Sequence, residues 1–206
     1  MVPKFLLLLL LSSSFLVGYC QDSSFIKVHF LYGSKPAPKY KDVEHKWFGG
    51  KLGGHVGIEG SDDEILNFLP NGGVHIFEKS GDIQSRFAVY SEMGFYRIFP
   101  SSDDSIKKTI VIIPVSGEQK AIFNSITEIY LADSPYDYAF FGMRCGAAAY
   151  DILSRLGIVE PLSHSANWRK IFYPKKLRMQ LLETADEKGW QVIEAPGSSK
   201  RKWERD

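Results

Sequence analysis

The first half of the chain alternates between hydrophobic and polar positions in short runs. The segment Phe25–Tyr32 is the clearest of them, because it combines this two-residue period with residues that favour β-structure. Runs of the same kind predict further strands at Gly53–Glu59, Glu64–Phe68, Val74–Phe77, Ala88–Tyr90, Tyr96–Phe99 and Lys108–Pro114. Turn-forming residues separate these runs, and Gly33–Gly50, which is rich in lysine and proline, is predicted to be a long loop.

The second half of the chain shows the longer period of α-helices. Helices are predicted at Ser116–Leu131, Arg144–Leu156 and Pro174–Lys188, with a turn-rich connection at Ala132–Phe141 and a closing strand at Gln191–Glu194. Ser116, followed by Gln119 three residues later, has the sequence of a capping box, and Gly157 ends the second helix. No interior linker or repeat is apparent, so these elements predict a single α+β domain.

The composition excludes two broad classes of protein. Of 206 residues, 25 are Lys or Arg and 24 are Asp or Glu, and this net charge of +1 argues against a nucleic-acid-binding protein. A hydrophobic content of 44%, with 14% aromatic residues, argues against a mainly disordered chain.

Residues 1–20 have the pattern of a secretory signal peptide. Lys4 supplies the positive charge, Phe5–Leu11 is entirely apolar, and Gly18 and Cys20 suit positions −3 and −1 of a cleavage site. We expect cleavage after Cys20 and export to the periplasm or cell envelope. The alternative makes Cys20 the lipidated first residue of a surface lipoprotein, although the bulky Tyr19 precedes it.

Cys145 is then the one cysteine of the mature chain, so no internal disulfide is expected. It lies at the start of a predicted helix, where the positive end of the helix dipole favours a thiolate. Two interpretations stay open: a nucleophile, or a small buried hydrophobic residue in an alanine-rich helix.

Two histidines on predicted strands are candidates for a base and for the group that orients it. If Val56 and Ile58 face the core, alternation directs His55 to the opposite face, toward a cleft. His75 lies further along the chain, and antiparallel pairing would bring it near His55, where it would orient the imidazole. Both are alternatively partly exposed strand histidines. Zinc binding is the competing use of these side chains, but the close ligand pairs of zinc sites are lacking, so no metal or cofactor is expected.

The strand Gly54–Ile58, followed about 90 residues later by Tyr138–Ala149, resembles the circularly permuted NlpC/P60 (papain-like) superfamily, in the branch that includes lecithin:retinol acyltransferase-like proteins. In that branch a histidine strand precedes a cysteine that opens a helix. Arg144 stands where asparagine is frequent. The resemblance implies an antiparallel sheet packed against helices that include the cysteine-bearing helix, with Cys145, His55 and His75 as catalytic residues.

These observations together predict an exported cysteine hydrolase. Its expected parts are a signal peptide at 1–20, a permuted papain-like domain at 21–195 and a charged, flexible tail at 196–206. The expected substrate is a cell-wall peptide or a lipid-linked amide or ester. The mature protein is expected to be soluble or peripherally associated with the cell envelope. The alternatives are a non-catalytic exported binding module and a surface lipoprotein on the same scaffold.

Overall fold

The computed structural model describes residues 24–40, 53–61, 63–98 and 106–205 of the chain. The predicted signal peptide at 1–20, including Cys20, lies outside these residues, as does most of the predicted loop Gly33–Gly50. Among the described residues, no helix is both long enough and apolar enough to span a bilayer.

The described residues form ten strands and five α-helices. The strands are β1 (Ser24–Leu31), β2 (Ser34–Pro36), β3 (His55–Ser61), β4 (Glu64–Pro70), β5 (His75–Phe77), β6 (Ser85–Tyr90), β7 (Lys108–Val115), β8 (Ala139–Phe141), β9 (Gln191–Ala195) and β10 (Arg201–Trp203). The helices are α1 (Glu92–Tyr96), α2 (Gly117–Ala132), α3 (Cys145–Arg155), α4 (His164–Lys170) and α5 (Pro174–Lys188).

The fold is α+β, with a central antiparallel sheet packed against helices. Six strands form this sheet in the order β6-β4-β3-β1-β7-β9, and each pair of neighbours is antiparallel. Helix α3 contacts β3 and β4 on one face and also packs against α4 and α5. The cysteine-bearing helix is therefore part of the main hydrophobic core.

Alternation along β3 divides its side chains between the two faces of the sheet. Val56 and Ile58 are buried in the main core together with Cys145 and the alanines of α3. The neighbouring positions His55 and Glu59 face the other way, as the sequence predicted for His55. That second face carries a smaller apolar cluster of Leu31, Ile65, Phe95, Tyr96 and Ile106.

A buried polar network lies beside this smaller cluster. His29 contacts the hydroxyl of Tyr96 and the carboxylate of Glu59, both at 2.8 Å, and Lys27 donates to the same carboxylate at 2.5 Å. These hydrogen bonds lower the pKa of Glu59 despite the opposing effect of burial. The network ties β1, β3 and α1 together.

Most predicted elements are present close to their expected positions. Helix α2 begins after Ser116, whose hydroxyl accepts from the Gln119 N–H while the Gln119 side chain accepts from the Ser116 N–H, so the capping box is confirmed. Helix α5 has the expected bounds and begins with Pro174. Gly157, after α3, adopts a positive φ of 69°, which favours glycine.

The structure differs from the sequence-based expectations at several places. The predicted strand at Tyr96–Phe99 is wrong, because Ser91 caps a short helix that includes Tyr96. Helix α4 was not predicted, and strand β8 lies inside the predicted turn-rich connection. The predicted loop contains β2, which pairs with β10. Strand β10 lies in the tail expected to be flexible, and Arg201 in it is buried with its guanidinium on the Ser34 hydroxyl at 2.6 Å.

Candidate active site

A cavity of about 390 Å³ lies where the start of β3 meets the start of α3. His55 and Cys145, the predicted base and nucleophile, both line it. Much of the remaining wall is apolar, with contributions from Leu69, Val74, Tyr138, Phe140, Phe172 and Pro174. A cavity of this size with a few converging polar groups has the features of a small-molecule or substrate site.

Cys145 is the first residue of α3, and it is a free, buried cysteine. The alanine-rich turn that follows lets the helix lie close to its neighbours: a Cβ added at Gly146 would lie only 3.1 Å from the backbone nitrogen of Pro174. The small residues after the cysteine therefore set Cys145 deep in the fold rather than on its surface.

Several donors are directed at the Cys145 sulfur. The charge of Arg144, the hydroxyl of Tyr138 and the backbone N–H groups of Val56 and Gly146 all act on this thiol. All four lower the thiol pKa, but burial outweighs them, and the pKa of Cys145 is raised above its usual value. The resting group is therefore a thiol that needs a base to remove its proton.

Asn67 orients the imidazole of His55. The Asn67 side-chain nitrogen donates to the backbone carbonyls of Ile65 and Ala88, at 3.3 and 2.9 Å, and this assigns the amide oxygen to the opposite side. That oxygen lies 3.3 Å from His55 Nε2. Nε2 must therefore carry the hydrogen, which leaves Nδ1 as the nitrogen that accepts a proton.

His55 is neutral near physiological pH. Burial lowers its pKa from 6.5 to about 4, and the hydrogen bond to Asn67 opposes this shift only in part. A neutral imidazole and a protonated thiol that line the same cavity are groups that general-base catalysis can use. They differ from a preformed pair of thiolate and imidazolium.

The structure does not bring His75 to His55, and this expectation is corrected. Strand β5, which begins at His75, pairs in parallel with β8 instead of joining the central sheet. His75 Nδ1 contacts Asp137 at 2.6 Å, and its Nε2 lies 3.5 Å from Asp82. His75 thus belongs to a polar cluster outside the cavity, and Asn67 has the orienting position that was expected for it.

Sequence reasoning missed two polar residues of the site. Asn67 is the one polar residue within the apolar run of β4, directly after the histidine strand, and that interruption was the available signal. Tyr138 was considered only as an aromatic residue of the segment before Cys145. Burial raises the pKa of its phenol, and this hydroxyl and the Cys145 thiol each affect the pKa of the other.

Within the part of the chain that the structure describes, no group of three or more His, Cys, Asp or Glu side chains is arranged to hold a metal ion. No protein-family model, curated protein or solved structure matches the chain. The geometry around Cys145 and the resemblance of the two short motifs are therefore the basis for a functional proposal.

Proposed function

We propose that this protein is an exported cysteine hydrolase of the permuted papain-like type, which cleaves an amide or ester through an acyl-enzyme. The observation that carries the proposal is a cavity that is lined by both Cys145, at the start of α3, and His55, whose ring Asn67 orients. Nucleophile, base and orienting group are the three parts that thiol catalysis needs.

The reaction begins with proton transfer from the Cys145 thiol to His55 Nδ1. The sulfur bonds to the substrate carbonyl carbon, and His55 returns the proton to the leaving amine or alcohol as the carbon–nitrogen or carbon–oxygen bond breaks. A water molecule, deprotonated by His55, then attacks the thioester, which releases the carboxylic acid and restores the thiol.

Tyr138 supplies an O–H donor for the oxyanion that forms during each attack. This residue lines the same cavity as Cys145, and its hydroxyl affects the pKa of the thiol. The Gly146 N–H, at the positive end of α3, is a second donor beside the sulfur. In other enzymes the removal of one such donor lowers kcat by about 10²- to 10³-fold.

The substrate class follows from the resemblance and from the cavity wall. The resemblance implies cell-wall peptides or lipid-linked amides and esters, and the apolar side chains of the cavity favour a substrate with an apolar acyl group. The proposed location is the periplasm or cell envelope, with peripheral association.

The test is hydrolysis of p-nitrophenyl acyl esters of increasing chain length, with mass spectrometry of the protein during turnover. We expect the wild type to release p-nitrophenolate and to carry an acyl adduct on Cys145. Cys145→Ala should lose both signals, and His55→Gln should lose most of the rate. His75→Gln is the matched control, because it removes a histidine outside the cavity, and it should retain the wild-type rate.

Full activity of Cys145→Ala would exclude this residue as the nucleophile. A wild-type protein that binds acyl compounds but never forms an adduct would instead favour the binding module, an alternative consistent with the 5% exposure of Cys145.

A further inference from the structure

Arg144 is a buried cation beside the candidate nucleophile. It is 7% exposed, it lines the cavity, and it directly precedes Cys145 in the chain. Among the lining residues that the structure describes, it is the one side chain with a permanent charge. Its position is therefore next to the carbonyl group that Cys145 would attack.

The guanidinium is held in place by Phe172. Its carbon Cζ lies 3.5 Å from the centre of the Phe172 ring, and one terminal nitrogen donates to the backbone carbonyl of Phe172. The contact with the ring holds the guanidinium without using an N–H donor. Arg144 is thus rigidly presented rather than a mobile surface side chain.

In the described part of the chain, the positive charge of Arg144 has no counter-ion and one of its N–H donors has no acceptor. Its buried Nε has no hydrogen-bond partner there, and no carboxylate of those residues forms an ion pair with it. Burial lowers the pKa of Arg144, because the charged form loses hydration. Buried charges and donors of this kind are normally paired, so a partner from outside the chain would complete the site.

We infer that Arg144 binds a carboxylate of the substrate, and that the substrate is an acyl compound with this carboxylate a few bonds from the reacting carbonyl, as in an N-acyl amino acid. The hydrolysis of this substrate rests on the proposed function, whereas the binding of its carboxylate by Arg144 does not. A single guanidinium balances a monovalent carboxylate, whereas a phosphate dianion would need a further cation that the described lining residues do not supply. The apolar wall would hold the acyl chain.

Hydrolysis of such a substrate uses the steps already given. The amide carbon–nitrogen bond breaks, the acyl group passes to Cys145 and then to water, and the amine of the amino acid receives the proton from His55. The products are a carboxylic acid and a free amino acid, and no other reactant is required.

Binding to Cys145→Ala, in which no turnover can occur, tests the inference directly. Isothermal titration calorimetry would compare N-octanoylglycine with N-octanoylglycinamide, which differ only in the charge of the terminal group, and with octyl phosphate. We expect N-octanoylglycine to bind at least about 10-fold more tightly than the glycinamide, because hydrogen bonds to charged groups are the stronger class. Octyl phosphate should bind more weakly than N-octanoylglycine.

Variants of Arg144 assign that preference to the residue. In the Cys145→Ala background, Arg144→Gln should abolish the preference for the anion, and Arg144→Lys should retain part of it. Arg169→Gln is the matched control, because Arg169 is exposed and lies outside the lining of the cavity. It should leave the preference unchanged.

The inference would be overturned if Cys145→Ala bound the two glycine derivatives with equal affinity or bound neither. This comparison does not depend on whether the Arg144 variants fold. Tighter binding of octyl phosphate would overturn the assignment to a carboxylate. Whether the protein with Cys145 intact hydrolyses N-octanoylglycine is a separate measurement. An anion preference without hydrolysis would count against the proposed function alone, so the two failures are distinguishable.

Discussion

At the scale of single residues, the state of His55 is decided by two opposing effects. Burial disfavours the imidazolium strongly, and the Asn67 amide oxygen favours it weakly. The outcome is a ring that is neutral well below pH 7, with its free nitrogen assigned by the hydrogen bonds of Asn67. The same balance makes the protonation of His55 measurable in two independent ways.

The first measurement is the pH dependence of kcat/KM for a neutral ester. Since His55 must be unprotonated to act as a base and its pKa is about 4, we expect the acid limb of the profile near pH 4 rather than near 6.5. Asn67→Asp places a negative charge beside the imidazole and should move that limb upward by about 1 unit or more. An acid limb near 6.5 in the wild type would contradict the buried environment of His55.

The second measurement is the free energy of unfolding, which needs no substrate. His55 has a pKa of about 4 in the folded protein and 6.5 as its ordinary value, so between these pH values the unfolded chain binds more protons. Stability should therefore fall as the pH falls from 7.5 to 4.5, by about 2 to 3 kcal/mol from this group. Urea unfolding of the wild type and of His55→Gln checks this, because the variant should lack that part of the loss. An equal loss in both proteins would contradict it.

At the scale of elements, β3 carries the proposed base and α3 the proposed nucleophile, and the close packing of these two elements depends on small residues. Gly54, directly before His55, has a φ of 65°, and a Cβ at this position would lie 1.8 Å from the carbonyl oxygen of Leu31. Both facts require glycine. The backbone before His55 therefore approaches Leu31 more closely than a residue with a side chain would allow.

Gly54→Ala is accordingly expected to destabilise the fold by about 3 kcal/mol or more, from the sum of backbone strain and overpacking. Gly117→Ala is the matched control, since a Cβ there would meet no atom within 4 Å and the residue begins helix α2. It should be neutral or slightly stabilising. Chemical denaturation compares the free energies of unfolding of the two variants. A loss below about 1 kcal/mol for Gly54→Ala would show that the backbone before β3 can shift to accommodate the added methyl group.

At the scale of the whole molecule, the last described residues pack against residues near the start of the described range. Strand β10 pairs with β2, and the Glu204 N–H donates to the carbonyl of Gly33 at 2.8 Å. The Glu204 carboxylate contacts Arg178, which is almost fully buried in α5, at 2.9 Å. The tail is thereby tied to α5, whose first residue Pro174 lines the cavity.

Glu204→Gln should lower the free energy of unfolding by about 2 kcal/mol, because it replaces a charge-assisted hydrogen bond to a buried guanidinium with a neutral one. Lys202→Gln changes an exposed charge on the same strand and should have little effect. Thermal and urea unfolding of both variants provide the measurement. Equal stability of the two would mean that the tail contributes little to the fold.

The sequence alone determined the features that depend on neighbours along the chain. Helix α2 and its capping box need residues only three or four positions apart, and the face of His55 follows from the two-residue period of β3. The position of Cys145 at the start of a helix is local in the same sense. These features were predictable because each is stabilised by contacts within one or two turns or pleats.

Tertiary structure decided which distant groups meet. A strand pattern indicates which face a side chain occupies but not which strand lies beside it. His75 was therefore assigned to His55, although β5 pairs with β8 and the His75 side chain contacts Asp137, 62 residues along the chain. Asn67 became the partner of His55 through the pairing of β3 with β4. Likewise, the Arg201 side chain reaches Ser34 across 167 residues of the chain. Such pairings depend on burial and register summed over the whole sheet, which no local pattern contains.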